Sequence, residues 1–248
     1  MPVVLVHGHP ENASVWDELI PCLERTDIVT LSPPGYGSSV PNGFGATADE
    51  YRDWLADSLS SVEGPIDLVG HDWGSILTLR IAMERPELVR SWATDCAGVF
   101  DPDYVWHDLA QVWQTPGAGE QAVAQILATP IATRAKRYES LGMSKAGAAK
   151  VVAAFDETMG RCMLALYRSA RQPVLADWGK RLESATAKPG LVLLATEDHF
   201  AGGEAMRRRS AAKSGARVYL LEGLGHWWMS QDPTRSAGAL QEFWAGLA

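Results

Sequence analysis

A chain of 248 residues with 46% apolar and 21% charged residues has the composition of an ordinary soluble protein and the length of one α/β domain with an insertion. Its formal net charge of −8, with no basic block, argues against nucleic-acid binding, and no apolar run approaches the roughly 20 residues that cross a bilayer. Cys22, Cys96 and Cys162 lack metal-ligand spacing and read as reduced thiols; with no charged leader ahead of the first strand, a cytosolic location is expected.

In chain order, Val3-Val4-Leu5-Val6 is an unbroken aliphatic run, as in a strand buried on both faces of a parallel sheet. The loop His7-Gly8-His9-Pro10 follows it. A helix is expected over residues 15–23, a strand over 28–31, a turn at Pro33-Pro34-Gly35-Tyr36-Gly37-Ser38-Ser39, and a helix over 47–62. The apolar run 66–69 leads into Gly70-His71-Asp72-Trp73-Gly74-Ser75, then a helix over 76–84 and a strand over 89–94. This βα alternation implies a mostly parallel twisted sheet flanked by helices. From about residue 99 to 182 the rhythm stops, and helix-like stretches occupy 105–113, 118–128, 145–170 and 173–183. Strands resume at 191–194 and 218–221, and a helix over 233–247 closes the chain. The expected division is a core of residues 1–98 and 184–248 with a helical cap, 99–183, over the strand ends. No phosphate loop, Cys/His metal cluster or dinucleotide fingerprint occurs in the sequence, so no cofactor is expected.

The chemistry concentrates where strands end. Gly70-His71-Asp72-Trp73-Gly74 is G-x-D-x-G, the strand–turn–helix nucleophile elbow with a carboxylate where a serine would stand. An aspartate nucleophile displaces a leaving group at saturated carbon and forms an ester, which water must then hydrolyse. Hydrolysis calls for an oxyanion hole and a base. The backbone N–H groups of His9 and Trp73 suit the first. His226, in the Gly-flanked loop after the last strand, suits the second. Asp198, after the strand at 191–194, fits the acid that orients the base, while Asp95, ending the strand at 89–94, is the alternative. His71 reads as a structural hydrogen-bonding residue.

His7-Gly8-His9-Pro10, Gly70-His71-Asp72-Trp73-Gly74 and Gly225-His226-Trp227 together resemble the α/β-hydrolase branch that contains epoxide hydrolases and haloalkane dehalogenases. The resemblance implies the α/β-hydrolase fold and a covalent ester on Asp72, hydrolysed by water that His226 activates and Asp198 supports. Such proteins usually carry two strands before the His-Gly-x-Pro loop, so the first antiparallel edge is expected to be missing here. Epoxide hydrolases also donate a proton from a Tyr-Arg pair late in the cap, and Leu166-Tyr167-Arg168 looks like that pair. An earlier donor usually precedes a Q-x-P-G turn, which Gln114-Thr115-Pro116-Gly117 resembles; the position at that spacing is Leu109, leaving Tyr104, Trp106, His107 and Tyr138 as substitutes. A halide leaving group needs only weak donors such as the Trp73 indole. The abundant tryptophans, Trp227 included, suggest an indole-lined pocket. The expectation is an epoxide hydrolase acting on a small apolar organic substrate. A haloalkane dehalogenase is the alternative, a non-catalytic ligand-binding homologue a third reading, and a homodimer is left open.

Overall fold

The computed structural model describes residues 1–247. Its strands are β1 (Val3–Val6), β2 (Ile28–Leu31), β3 (Asp67–Gly70), β4 (Ser91–Thr94), β5 (Gly190–Ala195) and β6 (Arg217–Leu221). They form one sheet in the order β2-β1-β3-β4-β5-β6, and every pairing is parallel. Side chains alternate faces along each strand. Val4, Val6 and Leu68 join one apolar cluster, and Val3, Leu5 and Val69 join the other. Both faces are covered, as the unbroken aliphatic runs require.

Helix α1 (Ala48–Ser60) starts at Thr47, whose hydroxyl and Glu50 form a reciprocal capping box. Helix α2 (Trp73–Glu84) is the central helix, with eleven of its twelve residues buried. Between β4 and β5 the chain inserts α3 (Asp108–Gln114), α4 (Ala118–Ala128), α5 (Ile131–Ser140), α6 (Lys145–Ala154), α7 (Glu157–Ser169) and α8 (Val174–Gly179). After β5 come α9 (Glu204–Lys213), α10 (Trp228–Gln231) and α11 (Pro233–Ala245). No helix among the described residues is long and apolar enough to cross a membrane.

Several helix expectations need correction. Residues 15–23 do not form one helix: two 3₁₀ turns, Ala13–Trp16 and Ile20–Cys22, replace it, with Pro21 opening the second. The stretch 145–170 is two helices; the backbone is extended at Phe155 and Asp156, and the Asp156 carboxylate caps α7 by accepting from Met159 N. The expected helix at 173–183 stops at Gly179, and a 3₁₀ stretch, Leu182–Ala187, follows. Helices α5 and α9 were not anticipated. Each buries few residues, Ala135 in α5 and Arg207, Ser210 and Ala211 in α9, so neither writes an apolar stripe into the sequence.

Candidate active site

Sheet order decides where the site lies. From β1 the chain crosses outward to β2, then returns to β3 on the other flank of β1. The loops after β1 and β3 therefore diverge at a switch point, where open α/β sheets form their binding crevice. The register pairs Val6 with Gly70, so the His7–Pro10 loop and the Asp72 turn leave side by side. Asp72 has φ 51° and ψ −117°, a positive-φ conformation that a non-glycine residue rarely adopts. Its neighbours make room for it. A Cβ at Gly74 would collide with the Val6 carbonyl, one at Gly70 with the Gly74 backbone, and one at Gly8 with the Asp72 side chain.

The His9 backbone N–H donates to Asp72 Oδ1 at 2.8 Å, while Oδ2 lies 3.7 Å from His226 Nε2, too far for a hydrogen bond. His226 Nδ1 lies 3.0 Å from Asp198 Oδ2, and Asp198 Oδ1 accepts from Phe200 N at 2.8 Å. With Nδ1–H directed to Asp198, the Nε2 lone pair faces Asp72. Asp95 is engaged elsewhere: Oδ1 accepts from Asp72 N at 3.1 Å, and Oδ2 accepts from Trp228 Nε1 at 2.7 Å and meets His71 Nδ1 at 2.5 Å. Burial pushes the Asp72 carboxyl up to about 6, with the charges of His226 and Glu11 as smaller opposed influences. At His226 burial disfavours the charged ring, but Asp198 outweighs it and raises the pKa. At His71 burial is likewise outweighed, by the flanking carboxylates of Asp95 and Glu11, which hold its pKa well above the ordinary value. The His71 ring lies 4.6 Å from that of His226, so a charged His71 opposes protonation of the neighbouring base.

The model of the alpha/beta hydrolase family matches residues 3–239, nearly the whole chain. The chain belongs to this family. Over 94 residues it is 31% identical to (E)-2-((N-methylformamido)methylene)succinate hydrolase of Acinetobacter baylyi, covering 37% of this chain and 36% of that one. Over 137 residues it is 42% identical to probable oxidoreductase EphD of Mycobacterium tuberculosis, covering 50% of this chain and 22% of the other. The alignments thus span well under half of these relatives' lengths. The crystal structure of haloalkane dehalogenase DbeA from Bradyrhizobium elkani superimposes with a TM-score of 0.70 at 22% identity, covering 99% of this chain and 91% of that one. At that identity the likeness speaks for the fold.

Around this hydrolase-family elbow the insertion supplies a wall of rings. Tyr167, on α7, is buried with its ring edge-on to Trp73 at 5.3 Å and against Trp106 and Trp113 at 5.2 and 4.8 Å. Burial, and then the Asp72 charge, raise its pKa well above the ordinary phenol value, so it stays protonated. Trp106 stacks on Trp73 at 5.8 Å, but its indole N–H donates to the Ala170 carbonyl. His107 caps α3, accepting from Ala110 N, and its ring meets Phe200 at 5.2 Å; burial lowers its pKa to about 4. It lines a cleft of about 270 Å³ with Tyr104, Asp198 and Phe200. Tyr138 packs against Trp227 at 5.5 Å, and the Trp227 indole donates to Glu11 at 2.5 Å. His107 and Tyr138 therefore meet the site through Phe200 and Trp227, whereas the His9 N–H bonds Asp72 itself and Tyr167 packs on Trp73, the residue after it.

Three contributors escaped the sequence reading. Glu11 is buried between His71 and Trp227, with its carboxyl held down to about 2 because the facing His71 charge outweighs burial. Arg207 is 2% exposed and has no carboxylate within ion-pair distance among the described residues; it donates to the carbonyls of Ala195 (2.7 Å) and Asp198 (3.2 Å), clipping the loop that carries Asp198. Tyr36 is fully buried against the His9 ring at 3.6 Å. In sequence, Glu11 and Arg207 look like any surface charge. Two donor clusters, Glu11/His71/His226 and Cys96/Asp198/His226, fall within a metal's reach, each drawing on His226, already paired with Asp198.

Proposed function

We propose that the protein is a cofactor-independent hydrolase that opens epoxides through an ester on Asp72, with the helical insertion acting as the cap. Asp72 Oδ2, free of donors, attacks an epoxide carbon; the C–O bond breaks and the alkoxide takes the proton of Tyr167. The ester carbonyl keeps Oδ1 on the His9 N–H, with the Trp73 N–H at the start of α2 as second donor. His226 Nε2 then takes a proton from water, whose oxygen attacks the ester carbonyl carbon, and Asp198 stabilises the imidazolium. Collapse frees the diol and the Asp72 carboxylate, and the proton on His226 restores Tyr167. The sum is epoxide plus water giving a vicinal diol.

The observation that carries this reading is the juxtaposition of three unlike groups. A carboxylate with one oxygen held and one free faces a carboxylate-backed imidazole, and a buried, protonated phenol packs edge-on to the Trp73 that follows it. Haloalkane hydrolysis is the second reading, favoured by the Trp73 indole N–H, which is buried and without a partner. A paired screen of styrene-oxide-like epoxides and short haloalkanes, scored for diol and halide, separates them. Diol formation supports the first reading. Halide release without any epoxide turnover replaces it with the second, and ligand-induced thermal stabilisation without turnover leaves a binding homologue.

A further inference from the structure

Several indoles and phenols around Asp72 have partners. Trp106 donates to Ala170 O, Trp227 to Glu11, Trp228 to Asp95, Tyr104 to Phe200 O and Tyr51 to Pro34 O. Three adjoining side chains do not. Both ring nitrogens of His9, the Tyr36 hydroxyl and the Trp73 indole N–H are buried with no hydrogen-bond partner. The three side chains are 4%, 0% and 0% exposed, and they adjoin one another, with ring separations from His9 of 3.6 Å to Tyr36 and 6.3 Å to Trp73. The indoles of Trp16 and Trp113 also lack partners, but they stand apart, beside His71 and Tyr167 respectively. Native interiors pair their buried polar atoms, so a cluster of unpaired ones beside a reacting group awaits a ligand that pairs them.

The donor and acceptor inventory narrows the ligand. The indole only donates, the phenol donates or accepts, and a neutral imidazole does one at each nitrogen. Burial, with His7 nearby, keeps the His9 ring neutral. A halide or an epoxide oxygen only accepts, and leaves the imidazole lone pair without a donor. A hydroxyl accepts from Trp73 or Tyr36 and donates to His9. We propose that His9, Tyr36 and Trp73 form a hydroxyl-binding subsite, and that the substrate carries a hydroxyl close to the carbon Asp72 attacks, as in a hydroxymethyl epoxide or a halohydrin. The expectation of a purely apolar substrate is thereby narrowed, and this substrate class rests on the hydrolase reading above.

Isosteric pairs test it: glycidol against 1,2-epoxybutane, and 2-bromoethanol against 1-bromopropane. A site built to bond a hydroxyl discriminates strongly against an analogue lacking one, so kcat/KM should favour the hydroxylated member by about 10- to 100-fold. Tyr36→Phe or His9→Phe, which keeps the backbone N–H, should bring that ratio toward one. Binding is read apart from turnover in Asp72→Asn protein, by the ¹⁵N shifts of the His9 ring. Glycidol should move them and 1,2-epoxybutane should not. Equal turnover of both members with unmoved His9 shifts overturns the subsite and leaves the hydrolase reading intact. Shifts with glycidol but no turnover of any pair sustain the subsite and remove the hydrolase reading. Neither shifts nor turnover removes both.

Discussion

At the ends of β3, β4 and β5 the carboxylates accept from backbone: His9 N–H on Asp72, the Asp72 N–H on Asp95, Phe200 N–H on Asp198. In the insertion, Tyr167 is held by rings, those of Trp73, Trp106 and Trp113. The first kind of support is directional and needs glycines at set positions, since Gly8, Gly70 and Gly74 each have backbone or the Asp72 side chain where a Cβ would go. The second is met by any well-shaped set of apolar neighbours. The strand ends thus hold their groups by backbone geometry, while the insertion holds Tyr167 by packing alone.

The largest expected effects break the strand-end side. Asp72→Ala should abolish turnover, a loss beyond about 10⁴-fold, since no other group takes over the nucleophile's role. His226→Gln should permit ester formation and block its hydrolysis. Intact-protein and peptide mass spectrometry should then find the substrate's mass added at Asp72. A His226→Gln protein that turns over many equivalents, with no adduct, would remove the base from the mechanism.

On the insertion side, Tyr167→Phe should slow ester formation by about 10- to 10⁴-fold in an epoxide hydrolase, with modest change in binding, because the alkoxide then leaves unprotonated. Rapid quench of single turnovers measures it. For a halide leaving group the same change should matter little, while Trp73→Phe should cost more. Epoxide opening unaffected by Tyr167→Phe would move the acid to another residue, with the unpaired Tyr36 hydroxyl next in line.

The contrast also marks what the sequence made legible. Strand runs and the Gly-flanked Asp72 and His226 loops were readable because local backbone geometry and burial dictate them residue by residue. Tyr167 is singled out only through a resemblance, since a tyrosine on a helix carries no local mark of what it faces. Glu11 and Arg207 were invisible because they act across 60 residues (Glu11 to His71) or on bare carbonyls (Arg207), and burial alone sets them apart from solvated charges. Helices α5 and α9 were missed for the same reason: they lie on the surface and bury too little apolar area to be periodic.

Arg207 allows a test of the strand-end support from behind. Arg207→Met removes the donors to Ala195 O and Asp198 O, in a loop whose Glu197 N–H also donates to Leu224 O next to the His226 turn. The Ala195 carbonyl keeps the Asp198 N–H, but the Asp198 carbonyl is left unpaired, which should cost about 1–3 kcal/mol of stability, measured by denaturant melts. It should also weaken the Asp198–His226 contact, seen as a lower His226 pKa by NMR. Arg207→Lys should restore part of both. A variant that melts lower with an unchanged His226 titration would make Arg207 a packing residue only.

The smallest effect concerns what the elbow costs the fold. The Asp72 carboxyl sits at about 6 in the folded protein because burial disfavours its charge, against an ordinary value of 3.8. A folded-state pKa above the unfolded one gives stability that is complete below about pH 4 and lost as pH rises through 6. At pH 8 the protein therefore carries a charged Asp72 at a net cost in stability, the His9 N–H having offset part of the burial penalty. Asn tolerates positive φ, so Asp72→Asn keeps the turn and removes the charge. It should melt higher than the parent at pH 8, and the gap should shrink toward pH 4. The same ionisation limits catalysis with the opposite sign. Ester formation, read as kcat/KM, should fall as pH drops through 6, while a turnover limited by ester hydrolysis should follow His226, whose pKa Asp198 raises against the effect of burial. Equal melting of Asp72→Asn and parent across that range would mean the buried charge is already compensated in full, and kcat/KM would then stay flat through pH 6.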